Sequence, residues 1–140
     1  MDIYISKSEQ DTINFAKDFA SKLNKGDIVV LSGELGSGKT KFVQGILEYF
    51  GLADEISSPT FTIVNEYSKD DTNIYHFDVY RLADTDEFYV MGGDEYFQNG
   101  ICLIEWGEMI ESILPKHYTK IIFKKNDDNP EYRKLLIEQK

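Results

Sequence analysis

The stretch GELGSGKTKF, Gly33 to Phe42, sets three glycines within six residues directly ahead of a lysine and a threonine. Gly33, Gly38, Lys39 and Thr40 fit the spacing G-x-x-x-x-G-K-[ST] of a loop that wraps phosphate. The backbone must approach an anion closely enough for several N–H groups to point at it, and side chains would obstruct that approach. A helix starting inside the loop adds the positive end of its dipole. Lys39 would reach the β- and γ-phosphates and is expected to pack against little else, while the Thr40 hydroxyl would ligate Mg²⁺. Magnesium then needs a second oxygen, usually an acid at the end of a neighbouring apolar strand. Glu105, closing ICLIE, and Asp78, within HFDVYRL, both qualify, with Glu105 ahead. The loop SSPTF adds Thr60 as a residue that could sense a γ-phosphate or its metal.

These groups need elements to hold them. Ile28 to Leu31 is a run of four apolar residues, which reads as a strand buried on both faces. Phe42, Val43, Ile46, Leu47 and Phe50 then mark one helical stripe closed by Gly51. Ahead of the strand, Ser8 and Asp11 resemble a capping box, and Ile13, Ala16, Phe19, Ala20 and Leu23 recur at helical spacing up to Gly26. Phe61–Tyr67 and Ile74–Tyr80 read as strands joined by the turn SKDDTN. The polar segment Asp84–Phe97 reads as helical, and Ile101–Ile104 is a second doubly buried strand. A short helix in EWGEMIESIL and strands Lys120–Lys125 and Arg133–Ile137 complete the chain. This order predicts one α/β domain over residues 1–140, a phosphate-loop NTPase-like three-layer sandwich. Its mixed sheet would have a parallel core and an antiparallel hairpin.

Composition narrows the partners. With 140 residues, 41% hydrophobic and 14% aromatic, the chain can bury a real core. A net charge of −10, from 15 basic against 25 acidic residues, argues against a broad grip on DNA or RNA. Any contact with RNA is expected to run through a partner protein. No apolar run approaches a membrane span and the first residues lack a signal-peptide pattern. The single Cys102 suits a reducing cytosol and, inside a buried strand, reads as a small apolar residue.

GELGSGKT, SSPTFTIVNEY, YHFDVYRL and CLIEWGE, in this order and at these separations, resemble the bacterial TsaE family. That family is the small ATPase of tRNA N6-threonylcarbamoyladenosine biosynthesis. The resemblance implies a cytoplasmic ATP- and Mg²⁺-binding protein that joins the TsaB–TsaD pair. Its ATPase cycle would support threonylcarbamoyl transfer to adenosine 37 of ANN-decoding tRNAs, which it meets only through the complex. It further implies that Leu35, Gly36, Ser37, Gly38, Lys39 and Thr40 hold phosphates, with Thr40 and Glu105 around Mg²⁺. Thr60 would belong to a switch loop, Asp78 to the catalytic neighbourhood, and Trp106 would lie beside the metal ligand. Glu9 and Thr12 would approach the adenine end, and Glu108 the edge of the nucleotide. The chain departs from common members in having Gly107 where proline often follows the tryptophan, and its short tail leaves a nucleotide contact from Arg133 open.

Three other readings compete. NKGD at Asn24–Asp27 mimics a guanine motif, but it precedes the phosphate loop and no D-x-x-G accompanies it. A small-molecule kinase usually surrounds the transferred phosphate with several arginines, and this chain has only Arg81 and Arg133. A binding module using ATP as a structural ligand would release no phosphate. His76 reads as a hydrogen-bonded structural residue, since no Cys/His cluster surrounds it, and His117, in PKHYT, as a surface loop residue.

Overall fold

The computed structural model describes residues 2–33, 38–52, 64–78, 85–90, 92–105 and 107–140. Seven strands form one sheet: β1 (Asp2–Ser6), β2 (Ile28–Gly33), β3 (Val64–Lys69), β4 (Thr72–Asp78), β5 (Ile101–Glu105), β6 (Thr119–Lys125) and β7 (Arg133–Gln139). They lie in the order β1-β7-β6-β2-β5-β4-β3. Pairs β2–β5, β2–β6 and β4–β5 are parallel, whereas β3–β4, β6–β7 and β1–β7 are antiparallel. The expected mixed sheet with a parallel core and an antiparallel hairpin is therefore what forms.

Helices α1 (Glu9–Ala20) and α2 (Lys39–Tyr49) cover one face. Val29, Leu31, Leu103, Ile121 and Leu135 from the sheet join Ala16, Phe42 and Ile46 from these helices in one core. Short helices α3 (Thr85–Val90) and α4 (Gly93–Asn99) and a 3₁₀ segment, Gly107–Ile113, lie on the other face. There Ile28, Val30, Phe77, Cys102 and Ile104 bury against Phe88 and Ile110. Cys102 is fully buried with its thiol pKa pushed up to about 12 by desolvation, so it behaves as the small apolar residue expected. Among the described residues no helix is long and apolar enough to cross a membrane.

Four local differences from the sequence reading have physical causes. Strand β1 escaped it because its pattern is inverted: Ile3 and Ile5 are 59% and 47% exposed while Ser6 is buried. Helix α1 ends at Ala20, well before Gly26, where Ser21 Oγ donates to the Asp18 carbonyl; Leu23 packs on the core from beyond the helix end. The β3–β4 turn is tighter than SKDDTN, with Asp70 at φ +55° between strands that reach Lys69 and resume at Thr72. Finally, the segment read as one helix over Asp84–Phe97 is two, broken at Gly92 with φ +83°.

The crossing of α1 over α2 holds the phosphate-loop helix in place. At Gly45 an added Cβ would sit 2.5 Å from the Ile13 carbonyl oxygen and 2.6 Å from Ala16 Cβ. Gly45→Ala gains about 1 kcal/mol of helix propensity but forces two backbones apart, an overpacking that costs about 1–3 kcal/mol. Packing is expected to win, lowering the urea midpoint at unchanged slope. A midpoint equal to or above the wild type would mean that the crossing separates at little cost.

Candidate functional site

On the α1–α2 face the parallel strands change character as they run toward one edge. Ile74 is followed at alternate positions by His76 and Asp78 in β4, and Ile101 by Leu103 and Glu105 in β5. The apolar members sit in the core, and the polar members emerge at the C-terminal ends of the strands, where open α/β sheets bind ligands. Parallel pairing sets Asp78 directly beside Glu105 and Glu105 beside Leu31. The chain then leaves β2 at Gly33 and enters α2 through Gly38, whose φ of +107° is a conformation that a side chain would strain. Among the described residues no side chain caps α2 at Gly38, which leaves its first N–H groups as donors toward the edge.

A cleft of about 660 Å³ opens at this edge. Gly38, Lys39, Thr40 and Lys41 line it from α2, Asp78 and Glu105 from the sheet, and Glu9 and Thr12 from α1. The turn before β7 adds Pro130 and Glu131, and the start of β7 adds Arg133. Seven residues given a site role in the sequence thus meet in one cavity, Glu9, Thr12, Gly38, Lys39, Thr40, Asp78 and Glu105, with Arg133, whose nucleotide contact was left open, beside them. Leu35, Gly36, Ser37, Thr60, Arg81 and Trp106 lie outside the described residues, as does the side chain of Glu108.

Lys39 departs from expectation. It is 8% exposed, donates from Nζ to the Gly33 carbonyl at 3.0 Å, and stands 3.7 Å from Glu105 Oε1. The other Glu105 oxygen, Oε2, lies 2.7 Å from His76 Nε2. Burial pushes the Glu105 carboxyl up, but the hydrogen bond and charge of His76 together with Lys39 outweigh it. The group is held below the ordinary carboxylate value. Glu105 is consequently an anion at neutral pH, able only to accept hydrogen bonds.

Around the rim, Glu9 is exposed and pairs with Lys41 across the two helix starts at 3.7 Å. Thr12 is buried, its hydroxyl 2.6 Å from Ser6 Oγ. Both hydroxyls also reach the Ser8 carbonyl, Ser6 Oγ at 2.7 Å and Thr12 Oγ1 at 3.4 Å, so either can be the donor in the pair. Ser8 Oγ accepts from the Asp11 N–H at 3.1 Å, as the capping pattern predicted, while Asp11 Oδ2 accepts from the Lys7 N–H one residue upstream of the cap. The aliphatic stem of Arg133 lies over Gly38, its Cγ 3.6 Å from where a Cβ would be. Its guanidinium donates to the carbonyls of Pro130 and Tyr132.

The donor set suits a hard cation. Thr40 is an exposed residue lining the cleft, and Glu105 and Asp78 bring neighbouring carboxyl oxygens to the same edge. Among the described residues no cluster of three His, Cys, Asp or Glu could cage a metal. Mg²⁺ does not require one, because it takes one or two carboxylates and completes its shell with phosphates and water.

Sequence reasoning missed two things here. His76 was read as a hydrogen-bonded residue, and it is one, but its partner was not legible: its shared face with Asp78 was, whereas which acid it would meet depended on register with β5. The contribution of Pro130 and Glu131 follows from β6–β7 pairing, and nothing in that polar turn announces it, whereas Arg133 was already named as an open nucleotide contact.

Known proteins resemble this chain in sequence and in fold. Residues 6–135 match the family model described as threonylcarbamoyl adenosine biosynthesis protein TsaE. A Rickettsia bellii protein named tRNA threonylcarbamoyladenosine biosynthesis protein TsaE is 42% identical over 126 residues, covering 89% of this chain and 88% of its own. The Bacillus subtilis protein of the same name is 41% identical over 121 residues, covering 86% and 75% respectively. The crystal structure of Bacillus subtilis YdiB superposes with a TM-score of 0.78 at 34% identity, covering 98% of this chain and 83% of that one.

Proposed function

The chain belongs to the TsaE family, and from that premise we propose that it is a Mg²⁺-dependent ATPase subunit of tRNA threonylcarbamoyladenosine biosynthesis. One observation carries the ATPase reading: Lys39, at the uncapped start of α2, faces Glu105 at 3.7 Å where the parallel strands end. That is the arrangement in which a phosphate-loop lysine and a strand-end acid await a nucleotide. The α2 N–H groups and Lys39 bind the phosphates, and the cleft between α1 and the β7 side seats the nucleoside, with Glu9 and Thr12 toward the base. Thr40 and Glu105 would hold Mg²⁺, which neutralises charge on the phosphate oxygens. Asp78, beside Glu105, orients the attacking water.

The partner half of the proposal rests on charge and on the family. A net charge of −10 suits an indirect meeting with tRNA, through a TsaB–TsaD pair in the cytoplasm. Phosphate release by the purified protein is expected to be slow alone and faster with that pair, alongside modified adenosine in an ANN-decoding tRNA. Unchanged release together with full modification in the absence of this chain would overturn the proposal. Release without any effect on modification would reduce it to an ATPase acting elsewhere.

A further inference from the structure

The two oxygens of Glu105 are held by different residues, and the two holds differ in permanence. Oε1 faces Lys39 at 3.7 Å, and Lys39 is the residue that an incoming phosphate draws away. Oε2 is 2.7 Å from His76 Nε2, on a strand paired in register with β5: His76 aligns with Leu103 and Asp78 with Glu105. Because a carboxylate only accepts, His76 is the donor. The two side chains are 11% and 20% exposed, so the bond forms largely out of water and fixes the carboxylate plane more firmly than a surface contact would. When Lys39 turns to phosphate, Oε1 is released and Oε2 stays tied.

We propose that His76 is a positioning residue that clamps Glu105 Oε2, so that the carboxylate offers the metal a single oxygen, Oε1. This deepens the reading of Thr40 and Glu105 as the Mg²⁺ pair and rests on it. A single offered oxygen favours Mg²⁺, which is small and keeps several waters, over Ca²⁺, which readily takes both oxygens of a carboxylate. Partners one step removed from a metal typically set its affinity by 10- to 100-fold. His76 therefore contributes both to how tightly Mg²⁺ supports nucleotide binding and to the choice between the two cations.

The test is calorimetric titration of ATP into the full chain with EDTA, with Mg²⁺ and with Ca²⁺, for wild type, His76→Ala, His76→Leu and His76→Gln. The leucine variant fills the space without a donor and stands in if the alanine variant does not fold. The glutamine amide reaches about as far as Nε2 and restores a donor. Without a donor, the affinity gained on adding Mg²⁺ is expected to fall at least tenfold, with less loss in Ca²⁺ and metal-free affinity within threefold of wild type. His76→Gln is expected to recover the Mg²⁺ gain to within threefold. Equal losses with and without metal would show a merely structural bridge between β4 and β5, and an unchanged Mg²⁺ gain, an unchanged Mg²⁺-to-Ca²⁺ ratio or a glutamine variant as poor as alanine would equally overturn the proposal. Wild type that binds ATP with no gain from Mg²⁺ would instead remove the metal pair itself, and this inference with it.

Discussion

Lys39→Ala is expected to lower ATP affinity at least tenfold, about 1.4 kcal/mol. The ammonium stands in the cleft at the head of α2, placed to meet the β- and γ-phosphates, and backbone N–H groups cannot replace its charge. The structure adds that this ammonium is already occupied, with the Gly33 carbonyl at 3.0 Å and Glu105 at 3.7 Å. The measured loss is thus a difference: the phosphate contact forgone, less the pairing that nucleotide entry would have broken. A second consequence concerns the fold. Removing Lys39 takes one of two described partners from a Glu105 side chain that is 20% exposed, which should cost on the order of 1 kcal/mol of stability. Urea unfolding of the nucleotide-free protein separates this cost from the binding loss read by calorimetry. Unchanged ATP affinity in a folded variant would sink the phosphate-loop assignment.

What the sequence made legible, and what it did not, divides along local and non-local lines. Glu105 was readable because four buried apolar residues ahead of an acid mark a central parallel strand, and β5 does lie between β2 and β4. Alternation along β4 likewise put His76 and Asp78 on one face, which is the face α2 covers. The phosphate loop carried its own spacing into α2, and the Ser8 cap its own position at α1. Register between strands distant in sequence is another matter. Nothing in HFDVYRL and ICLIEWGE read separately says that Asp78 falls beside Glu105 or that His76 reaches Oε2. The buried state of Lys39 depends on the same alignment, which is why an unencumbered lysine was expected.

Where a local rule did fail, a competing local effect or an edge position is responsible. Leu23 continues the helical stripe and does pack on the core, yet it lies past the helix end because Ser21 turns back on the Asp18 carbonyl. Strand β1 is an edge strand whose Ser6 is buried and whose isoleucines are exposed, so alternation pointed nowhere. Gly92, at positive φ, stands at the start of α4, where one continuous helix was expected.

The two acids are expected to separate cleanly when each loses its charge. Glu105→Gln removes the anion that holds Lys39 back, so metal-free ATP should bind as well as to wild type or better, because the lysine no longer has a pair to leave. With Mg²⁺ present the sign reverses: a neutral amide is a poor magnesium ligand, and the affinity gained on adding the metal should drop at least tenfold, about 1.4 kcal/mol. Hydrolysis should fall with it. Asp78→Asn keeps the shape of the β4 terminus and leaves the Lys39–Glu105–His76 chain in place. Mg·ATP affinity should then stay within a few-fold, while turnover falls by on the order of 10²–10⁴, the usual worth of a group that orients or deprotonates a nucleophile. The pair is measured by calorimetry with and without Mg²⁺ and by single-turnover phosphate release. Loss of metal dependence in Asp78→Asn with intact metal dependence in Glu105→Gln would mean that the two neighbours have exchanged roles. Since Asp78 and Glu105 sit side by side in the sheet, the same cleft would accommodate that exchange, and only the metal dependence of the two variants decides between them.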